Sequence, residues 1–548
     1  LKMNKKYGST KPKAKLKQSK KRKLPKSSSS NPTANKYREA AKRSSIGGHF
    51  RLGTGKDTLL QQHLGSQGGL TLEALEKHNA AVGGFTEDCL QDDSASIGGT
   101  TFNTWATNLT GCTNVTFNRV HRYINSSSAV QKEILAVLAA VTEVIKEKGG
   151  EGKDVQYFAV LVSSLQEADK TDTKMAMAHL LNIVIKRVPV AVLQSRFSQV
   201  AKTLLDVITD CAKQDTLSPL KPALSCLASL LRVQDMTKWT EPSTEHAYRT
   251  ILAFISHKKP KLRKVAQKAV KVVLRGSLLM QQTPAPPYHP VAPITAQHCL
   301  KQIETSRGPS SKVDILHILS LLKDVLSLFP HSDVRALCES VLRLMTLTDL
   351  VVRSTCMDVL HRLFIAKPSS KILSAEMNGQ IVTALYDYQP SEKDSQPMIA
   401  WLKVMETAAI NMACQNIELC MNHLPRIFST CMTCLLSDRR DVAKAAVDTM
   451  KTLLLECVEP NKDTLTTKNL SNQAMTVLQK IIKSLEAGMS YQFHSMWALV
   501  FQLWSTVFLV LGKITPKLLM KCLSSMGDLR DTPHFSYKGE VDHAIGSA

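Results

Sequence analysis

The sequence predicts an all-α protein, an α-solenoid of stacked helix pairs preceded by a basic, largely irregular N-terminal segment. At 548 residues the chain is longer than one hydrophobic core usually supports, so it needs several domains or a repeat array. Aromatic residues make up only 5%, which is low for barrels and sandwiches, whose strands favour Tyr, Phe and Trp. After residue 128 apolar residues recur with helical periodicity. These observations favour helices packed on helices.

Residues 1–45 form a Lys-rich, low-complexity tail that cannot bury a core. Residues 1–50 carry 13 Lys and 3 Arg against one acid, Glu39, for a net charge of +15 out of +24 for the whole chain. Such a block is expected to be disordered in isolation and to bind a polyanion. The charge alone leaves three partners open: nucleic acid, an anionic membrane surface or an acidic protein.

The densest basic cluster in this tail consists of Lys20, Lys21, Arg22 and Lys23. It resembles a nuclear localisation signal, and such a cluster would also bind RNA through charge. Tyr7 and Tyr37 are too few for a stacking platform, so the tail is expected to bind without reading bases.

Residues 46–127 are rich in Gly, Ser, Thr and Asn, which predicts a mostly irregular segment. Within it, the glycines of Leu52–Asp57 invite comparison with a phosphate-binding loop. A Walker A motif, however, needs Gly where Phe50 stands and Ser or Thr where Asp57 stands, and it follows a strand. No nucleotide site is therefore predicted.

The helical array is predicted to begin at residue 128 and to run to 530. Ser128 and Gln131 have capping-box spacing, and Asp154 could cap the next helix. The first apolar stripe consists of Ile134, Val137, Leu138, Val141 and Ile145. About seven helices fit between residues 129 and 275, or about 42 residues per pair, as in HEAT and armadillo arrays. A Pro-rich loop spans 281–293, and residues 531–548 are predicted to start a repeat region that continues beyond this chain.

Four segments share one pattern, in which a Leu or Val is followed by a small residue at +4 and by apolar residues at +8 and +11. They are Leu262/Ala266/Val270/Val273, Val334/Cys338/Leu342/Met345, Val352/Cys356/Leu360/Leu363 and Val442/Ala446/Met450/Leu453. In three of them an Arg follows the first position: Arg263, Arg335 and Arg353. The small residue lets a neighbouring helix approach, as in the second helix of a HEAT repeat. The pattern predicts a HEAT/armadillo-like solenoid in which these segments are second helices.

No catalytic or metal-binding constellation is evident in the sequence. Cys431 and Cys434 have CxxC spacing, with Cys414, Cys420 and His423 upstream. A structural zinc site would need a second pair of closely spaced Cys or His ligands. Because Cys431 and Cys434 also fit one helix face, buried core thiols are predicted instead. We therefore expect a protein that is not an enzyme and that binds no cofactor and no metal. Because its cysteines show no disulfide framework, we also expect it to reside in a reducing compartment.

The most informative motif is a basic helix, whose lysines are Lys258, Lys259, Lys261, Lys264, Lys268 and Lys271. Pro260 suits its first turn. From Lys261 onward the lysines recur at 3, 4 and 3 residues, opposite the apolar stripe that starts at Leu262. No acid at i±4 relieves their repulsion. This lysine ladder, Lys261 to Lys271, is either a solvated face or a contact with RNA phosphates or an acidic partner.

One apolar stretch, Met496–Leu511, could pass for a membrane span. It is shorter than the roughly 20 residues that a spanning helix needs, and it contains Gln502, Ser505 and Thr506. A buried repeat helix is predicted there, and no membrane partner is expected.

Several stretches resemble the ribosomal RNA processing protein twelve family. They are Cys112–Phe117, Glu133–Val144, Tyr157–Val160, Asn182–Val188, Ala384–Tyr388 and Trp401–Glu406. The resemblance runs from about residue 110 to the end, whereas the earlier tail matches only in being basic. Family members are longer, so this chain is similar to an N-terminal portion of them.

The resemblance implies a HEAT-repeat, karyopherin-like scaffold of the nucleus and nucleolus that acts on precursors of the small ribosomal subunit, in pre-rRNA processing and subunit export. The implied partners are pre-rRNA, pre-ribosomal proteins such as the bystin-like assembly factor, and the Ran and nucleoporin machinery. The family has no catalytic residues to carry over. The alternative is a nuclear transport receptor that binds Ran, nucleoporins and cargo. Importin-like receptors are typically acidic, whereas this chain is basic outside its tail too, which favours contact with RNA.

Overall fold

The computed structural model describes residues 112–213, 217–306, 312–346, 349–466, 471–533 and 535–548. Every regular element among these residues is a helix, and none of them forms a strand. The predicted tail, 1–45, and the loop Leu52–Asp57 lie outside the described residues.

The α-helices up to residue 305 include three short ones, α1, α5 and α8, and otherwise run for three turns or more. They are α1 (Asn118–His121), α2 (Ala129–Glu147), α3 (Asp154–Glu167), α4 (Thr171–Val184), α5 (Val190–Ser195), α6 (Phe197–Lys213), α7 (Leu220–Arg232), α8 (Met236–Trp239), α9 (Pro242–Leu252), α10 (Pro260–Gly276) and α11 (Ala292–Thr305).

The second half of the described chain continues in the same way, with one short helix, α19. Its helices are α12 (Lys312–Val325), α13 (His331–Met345), α14 (Leu350–Ile365), α15 (Ala375–Leu385), α16 (Ser395–Ala413), α17 (Ile417–Cys434), α18 (Arg440–Leu453), α19 (Lys462–Thr466), α20 (Ser471–Glu486), α21 (Trp497–Leu511), α22 (Pro516–Arg530) and α23 (Lys538–Ser547).

The long helices alternate between two layers, as helix pairs do in a solenoid. Layer A contains α3, α6, α9, α11, α13, α15, α17, α20 and α22, and layer B contains α2, α4, α7, α10, α12, α14, α16, α18, α21 and α23. Successive layer B helices pack directly on one another. One continuous cluster of buried apolar residues, from Cys112 to Ala544, fills the space between the layers. The predicted all-α solenoid is thereby confirmed.

The helix ends differ in detail from the capping that the sequence suggests. Ser128 is the N-cap of α2, but its side chain makes no capping hydrogen bond. Asp154 is the first residue of α3 and not its cap. Its Oδ1 accepts hydrogen bonds from Asn114 Nδ2 at 3.0 Å and from Thr116 Oγ1 at 2.8 Å. The carboxylate thus ties the preceding segment to the array, which local sequence cannot reveal.

The four-segment pattern correctly marks buried stripes but mistakes one layer for the other. Three segments lie in α10, α14 and α18, which all belong to layer B. The fourth, Val334 to Met345, lies in α13 of layer A, so it is a first helix. Its +8 residue, Leu342, is only half-buried, whereas Val270, Leu360 and Met450 are fully buried. The spacing of apolar residues is common to both layers, and only packing separates them.

The apolar stretch near the end of the chain is the core helix α21. Among the described residues, only Tyr491–Leu511 is long and apolar enough to cross a membrane, by length and composition alone. In its most apolar 18-residue window 61% is buried inside the protein. Helix α21 packs between α18 and α23 of layer B. This placement agrees with the predicted buried repeat helix.

Candidate nucleic-acid interface

Helix α10 carries the lysine ladder on the outside of layer B. Pro260 stands in its first turn, as predicted, and Lys259 is its N-cap. Its buried stripe contains Leu262, Ala266, Ala269, Val270, Val273 and Leu274. Lys261, Lys264 and Lys268 are exposed, and Lys258 and Lys259, just before the helix, are exposed too. Six of its 17 residues are basic and none is acidic.

Polar side chains on the flanks of α10 fix the helix against its surroundings. Arg263 Nη1 donates to the carbonyl oxygen of His257 at 2.9 Å, which holds the loop that carries Lys258 and Lys259. Gln267 Nε2 donates to the carbonyl oxygens of Ile255 at 3.0 Å and His317 at 2.9 Å. The basic face is therefore presented on a rigid element, as a contact surface requires.

The four ladder lysines are not equivalent, although the sequence treats them alike. Lys271 is half-buried, and its Nζ lies 3.3 Å from Asp324 Oδ2 at the end of α12. Lys271 therefore has an acidic partner, although no acid lies at i±4 in its own helix. The acid comes from the next repeat, 53 positions along the chain, where helical spacing gives no hint of it.

Sequence reasoning missed three basic residues beside the ladder. Arg275 is exposed and extends the ladder by one more four-residue step on the same helix face. On the neighbouring helix α7, Lys221 and Arg232 are half-buried, and α7 contains no acid. Arg232 Nε donates to the carbonyl oxygen of Gly276, which joins α7 to the end of α10. The basic surface therefore extends from α10 toward α7, and a search for i, i+11 basic pairs would have found it.

On its other side the basic surface ends at acid-containing repeats. Beyond Asp324, the α12 residue Lys323 forms an ion pair of 2.6 Å with Asp358 of α14. At the start of α12, Lys312 forms one of 3.2 Å with Asp349, whose carboxylate also caps α14. Basic and acidic side chains are therefore paired across α12 and α14, whereas α10 and α7 contain no acid of their own.

The predicted core thiols are buried, and the described residues show no metal cluster. Cys431 and Cys434 are both 0% exposed and lie in α17. Burial raises the pKa of the Cys434 thiol to about 12 and also raises that of Cys431. A protonated thiol is a poor ligand and a poor nucleophile at neutral pH. Within the described ranges, no group of three or more His, Cys, Asp or Glu is arranged to hold a metal ion.

The stretches that carry the family resemblance pack inside and between repeats. In α16, Trp401 Nε1 donates to the carbonyl oxygen of Leu385 at 2.9 Å, and the Trp401 ring meets that of Tyr386 edge-on at 5.4 Å. The guanidinium of Arg426 lies 3.6 Å from the centre of the Tyr386 ring. At the start of the array, Tyr157 Oη donates to Cys112 Sγ at 3.2 Å. These stretches are structural in the described chain.

Comparisons with known proteins agree with this architecture. A family model for RRP12-like, N-terminal HEAT repeats matches residues 106–371, and one for ribosomal RNA-processing protein 12, HEAT repeats, matches residues 436–548. The RRP12-like protein of Gallus gallus is 45% identical over 446 residues, or 81% of this chain and 34% of that protein. The RRP12-like protein of Homo sapiens is 44% identical over 447 residues, with the same two shares, 81% and 34%.

The chain thus spans about a third of the length of these relatives. Among solved structures, Kap121p in complex with Pho4p is similar at 13% identity and a TM-score of 0.38, over 89% of this chain and 63% of that chain. The two family models and the identity to the vertebrate proteins show that the chain belongs to the RRP12 family of HEAT-repeat proteins.

Proposed function

We propose that this chain is a non-catalytic scaffold that contacts pre-rRNA during maturation of the small ribosomal subunit, in the nucleus and nucleolus, and supports subunit export. The name of the matched family, ribosomal RNA-processing protein 12, supports the processing role. The observation that carries the RNA contact is the acid-free outer face of α10.

The charge density on α10 favours a polyanion. Lys261 and Lys268 are seven residues apart, a rise of about 10 Å along the helix, with Lys264 between them. This distance is close to the Debye length of about 8 Å at physiological ionic strength, so the three charges can act together on one polyanion. Phosphates placed along the helix would be attracted to this face, and their binding would release counterions.

The proposed protein partners are other pre-ribosomal proteins, including the bystin-like assembly factor, together with Ran and nucleoporins. No membrane is among the proposed partners. A transport receptor that holds basic signals would need acidic surface, and the outer faces of α7 and α10 have none. We therefore place contact with RNA ahead of the transport role.

The test is recovery of small-subunit pre-rRNA with the tagged protein from cells. The test variant replaces Lys261, Lys264 and Lys268 with Gln, which has nearly the same helix propensity as Lys. The control variant replaces Lys132, Lys146 and Lys148, three exposed lysines at α2, with Gln. Both remove three surface charges, so both should fold as stably as the unaltered chain, within about 1 kcal/mol.

Loss of pre-rRNA with the α10 variant and retention with the α2 variant would support the contact. Equal recovery with both variants would mean that the ladder is only solvated. Selective loss of one protein partner, with pre-rRNA retained, would assign α10 to an acidic protein. Failure of the unaltered protein to recover any pre-rRNA would refute the proposed function itself.

A further inference from the structure

The connection between α20 and α21 presents aromatic rings to solvent. Residues Tyr491–Met496 form a 3₁₀ helix directly before α21. In a 3₁₀ helix, with three residues per turn, side chains at i and i+3 lie one above the other. Tyr491, His494 and Trp497 have this spacing, so their rings lie along one face. Phe493, on the other face, is buried and anchors the turn.

Two of these three rings form an exposed platform, which we define as Tyr491 and His494. Tyr491 is 80% exposed, among the highest values for a large apolar side chain in the described residues. His494 is exposed as well. The two ring centres lie 5.3 Å apart with planes inclined by 30°, as in an offset stack. Because Tyr491 is mostly exposed, its ring keeps open surface on which a further ring can stack.

Rings beneath the platform hold it in place. Trp497 is 4% exposed and meets Tyr491 at 6.3 Å and His494 at 4.9 Å, edge-on in both cases. From the next repeat, Tyr537 lies 5.6 Å from His494, and Phe535 lies 5.4 Å from Trp497. The platform is therefore supported by two repeats, and a bound ring would not have to order it first.

The indole N–H of Trp497 is buried and has no acceptor among the described residues. The indole N–H groups of Trp239 and Trp504 are also buried without an acceptor, but the aromatic rings that contact these two tryptophans are themselves buried. Among the described tryptophans whose indole N–H has no acceptor, Trp497 is the one that contacts exposed rings.

We propose that the Tyr491–His494 platform binds unpaired RNA bases by stacking. This inference rests on the proposed function, because it takes RNA to be the polymer that the basic face of α10 holds. A nucleobase supplies a flat π surface, and stacking on aromatic side chains is the usual way in which proteins bind single-stranded RNA. Paired bases in a helix offer no free face, so the platform selects single strands.

The platform contributes affinity without contributing charge. The helix ends that flank the platform carry equal numbers of basic and acidic residues, so their charges cancel. These residues are Lys483 and Glu486 in α20 and Lys538 and Glu540 in α23. Stacking there is therefore expected to be insensitive to salt, in contrast to phosphate contacts at α10. This difference lets one titration series separate the two sites.

The test measures fluorescence anisotropy of a labelled single-stranded oligouridine, and of an RNA duplex of equal length, over a range of salt concentrations. The variants are Tyr491→Ala, Tyr491→Phe and, as a control at another exposed tyrosine, Tyr288→Ala (40% exposed). Because Tyr491 is mostly exposed, Tyr491→Ala should leave the thermal midpoint unchanged, which circular dichroism checks.

We expect Tyr491→Ala to weaken single-strand binding by about 5- to 150-fold, the usual range for one stacked base, with an unchanged salt slope and unchanged duplex binding. Tyr491→Phe should retain binding, because it keeps the ring, and Tyr288→Ala should have no effect. Full single-strand affinity of Tyr491→Ala, or equal loss with Tyr491→Phe, would overturn the stacking site and leave the proposed function intact. Absence of RNA binding by the unaltered chain would overturn both.

Discussion

Helices α10 and α14 bury nearly the same pattern of apolar residues but differ in the charge of their outer faces. In α10 the buried positions are Leu262, Ala266, Val270 and Val273, and in α14 they are Val352, Cys356, Leu360 and Leu363. Both helices belong to layer B, two repeats apart. Helix α10 contains six basic residues and no acid, and four of them, Lys261, Lys264, Lys268 and Arg275, are exposed. The outer face of α14 includes Asp358, which is paired with Lys323 of α12.

The comparison shows that fold and surface are specified by different positions of the same helix. The buried stripe determines how a repeat stacks, since it must fit the neighbouring helices. The outer face is free to vary, because surface substitutions away from special features change stability little. A binding surface can therefore be placed on any repeat without altering the array.

The largest effect is expected from cavities in the shared stripe. Replacing Leu262 of α10 or Leu360 of α14 with Ala should lower the free energy of unfolding by about 2–5 kcal/mol each, because both side chains are buried. Urea denaturation followed by circular dichroism measures the loss. If only one of the two substitutions lowered the unfolding free energy by less than about 1 kcal/mol, the two buried stripes would not be equivalent.

A pH effect of about 2 kcal/mol is expected in the repeat of α10. His289 is 1% exposed, its Nδ1 accepts from the backbone N–H of Val291 at 3.3 Å, and burial lowers its pKa from 6.5 to about 4. The unfolded chain therefore takes up the proton first. The stability that neutral His289 confers is complete above pH 6.5 and is lost as the pH falls toward 4, by about 2 kcal/mol between pH 7 and 5.

The measurement is the difference in unfolding free energy between pH 7 and 5 for the unaltered chain and for His289→Gln. The variant should lose less stability on acidification, whatever its stability at pH 7. In α14 the pKa of the half-buried His361 is also lowered by burial, so His361→Gln should act in the same direction and more weakly. Equal pH dependence of His289→Gln and the unaltered chain would contradict the assignment.

The salt dependence of RNA binding compares the outer faces of α10 and α14 directly. The triple change of Lys261, Lys264 and Lys268 to Gln should reduce the slope of log affinity against log salt by about 2, at about 0.7 per phosphate contact. Anisotropy titrations with single-stranded RNA between 50 and 200 mM salt measure the slope, as is usual for such contacts. Replacing Arg353 and Arg362 of α14 with Gln should leave it unchanged. A similar reduction per charge at α14 would remove any special role of α10.

The smallest effects concern the ion pairs at the border between the two faces. Lys271–Asp324 and Lys323–Asp358 are both partly exposed, so each is expected to contribute only about 0.2–1 kcal/mol. Double-mutant cycles with Ala at each position measure the coupling, and 1 M salt should screen most of it. A coupling that persists in 1 M salt would show that packing, and not charge, joins these side chains.

Much of this architecture is accessible from the sequence because it depends on local periodicity. The first apolar stripe, Ile134 to Ile145, is buried in α2, and Gly149, with a φ of 71°, follows the end of that helix. The position of the lysine stripe opposite Leu262 can be predicted from the helical rotation of about 100° per residue alone. The spacing of Tyr491, His494 and Trp497 is equally visible in the sequence, but it aligns all three rings only in a 3₁₀ helix. In an α-helix each step of three residues would turn the ring by about 60°, so the first and third rings would lie about 120° apart.

By itself, the sequence determined the helices, their buried stripes and the concentration of positive charge on α10, since each depends on residues within a few turns. The tertiary structure alone decided three further matters. It assigned the segment from Val334 to layer A, paired Lys271 with Asp324, and set Tyr537 beneath the platform. All three depend on contacts between repeats, where partners lie about one repeat length apart in the chain: 53 residues for Lys271 and Asp324, and 43 for His494 and Tyr537. Helical periodicity extends only along one helix and cannot report them.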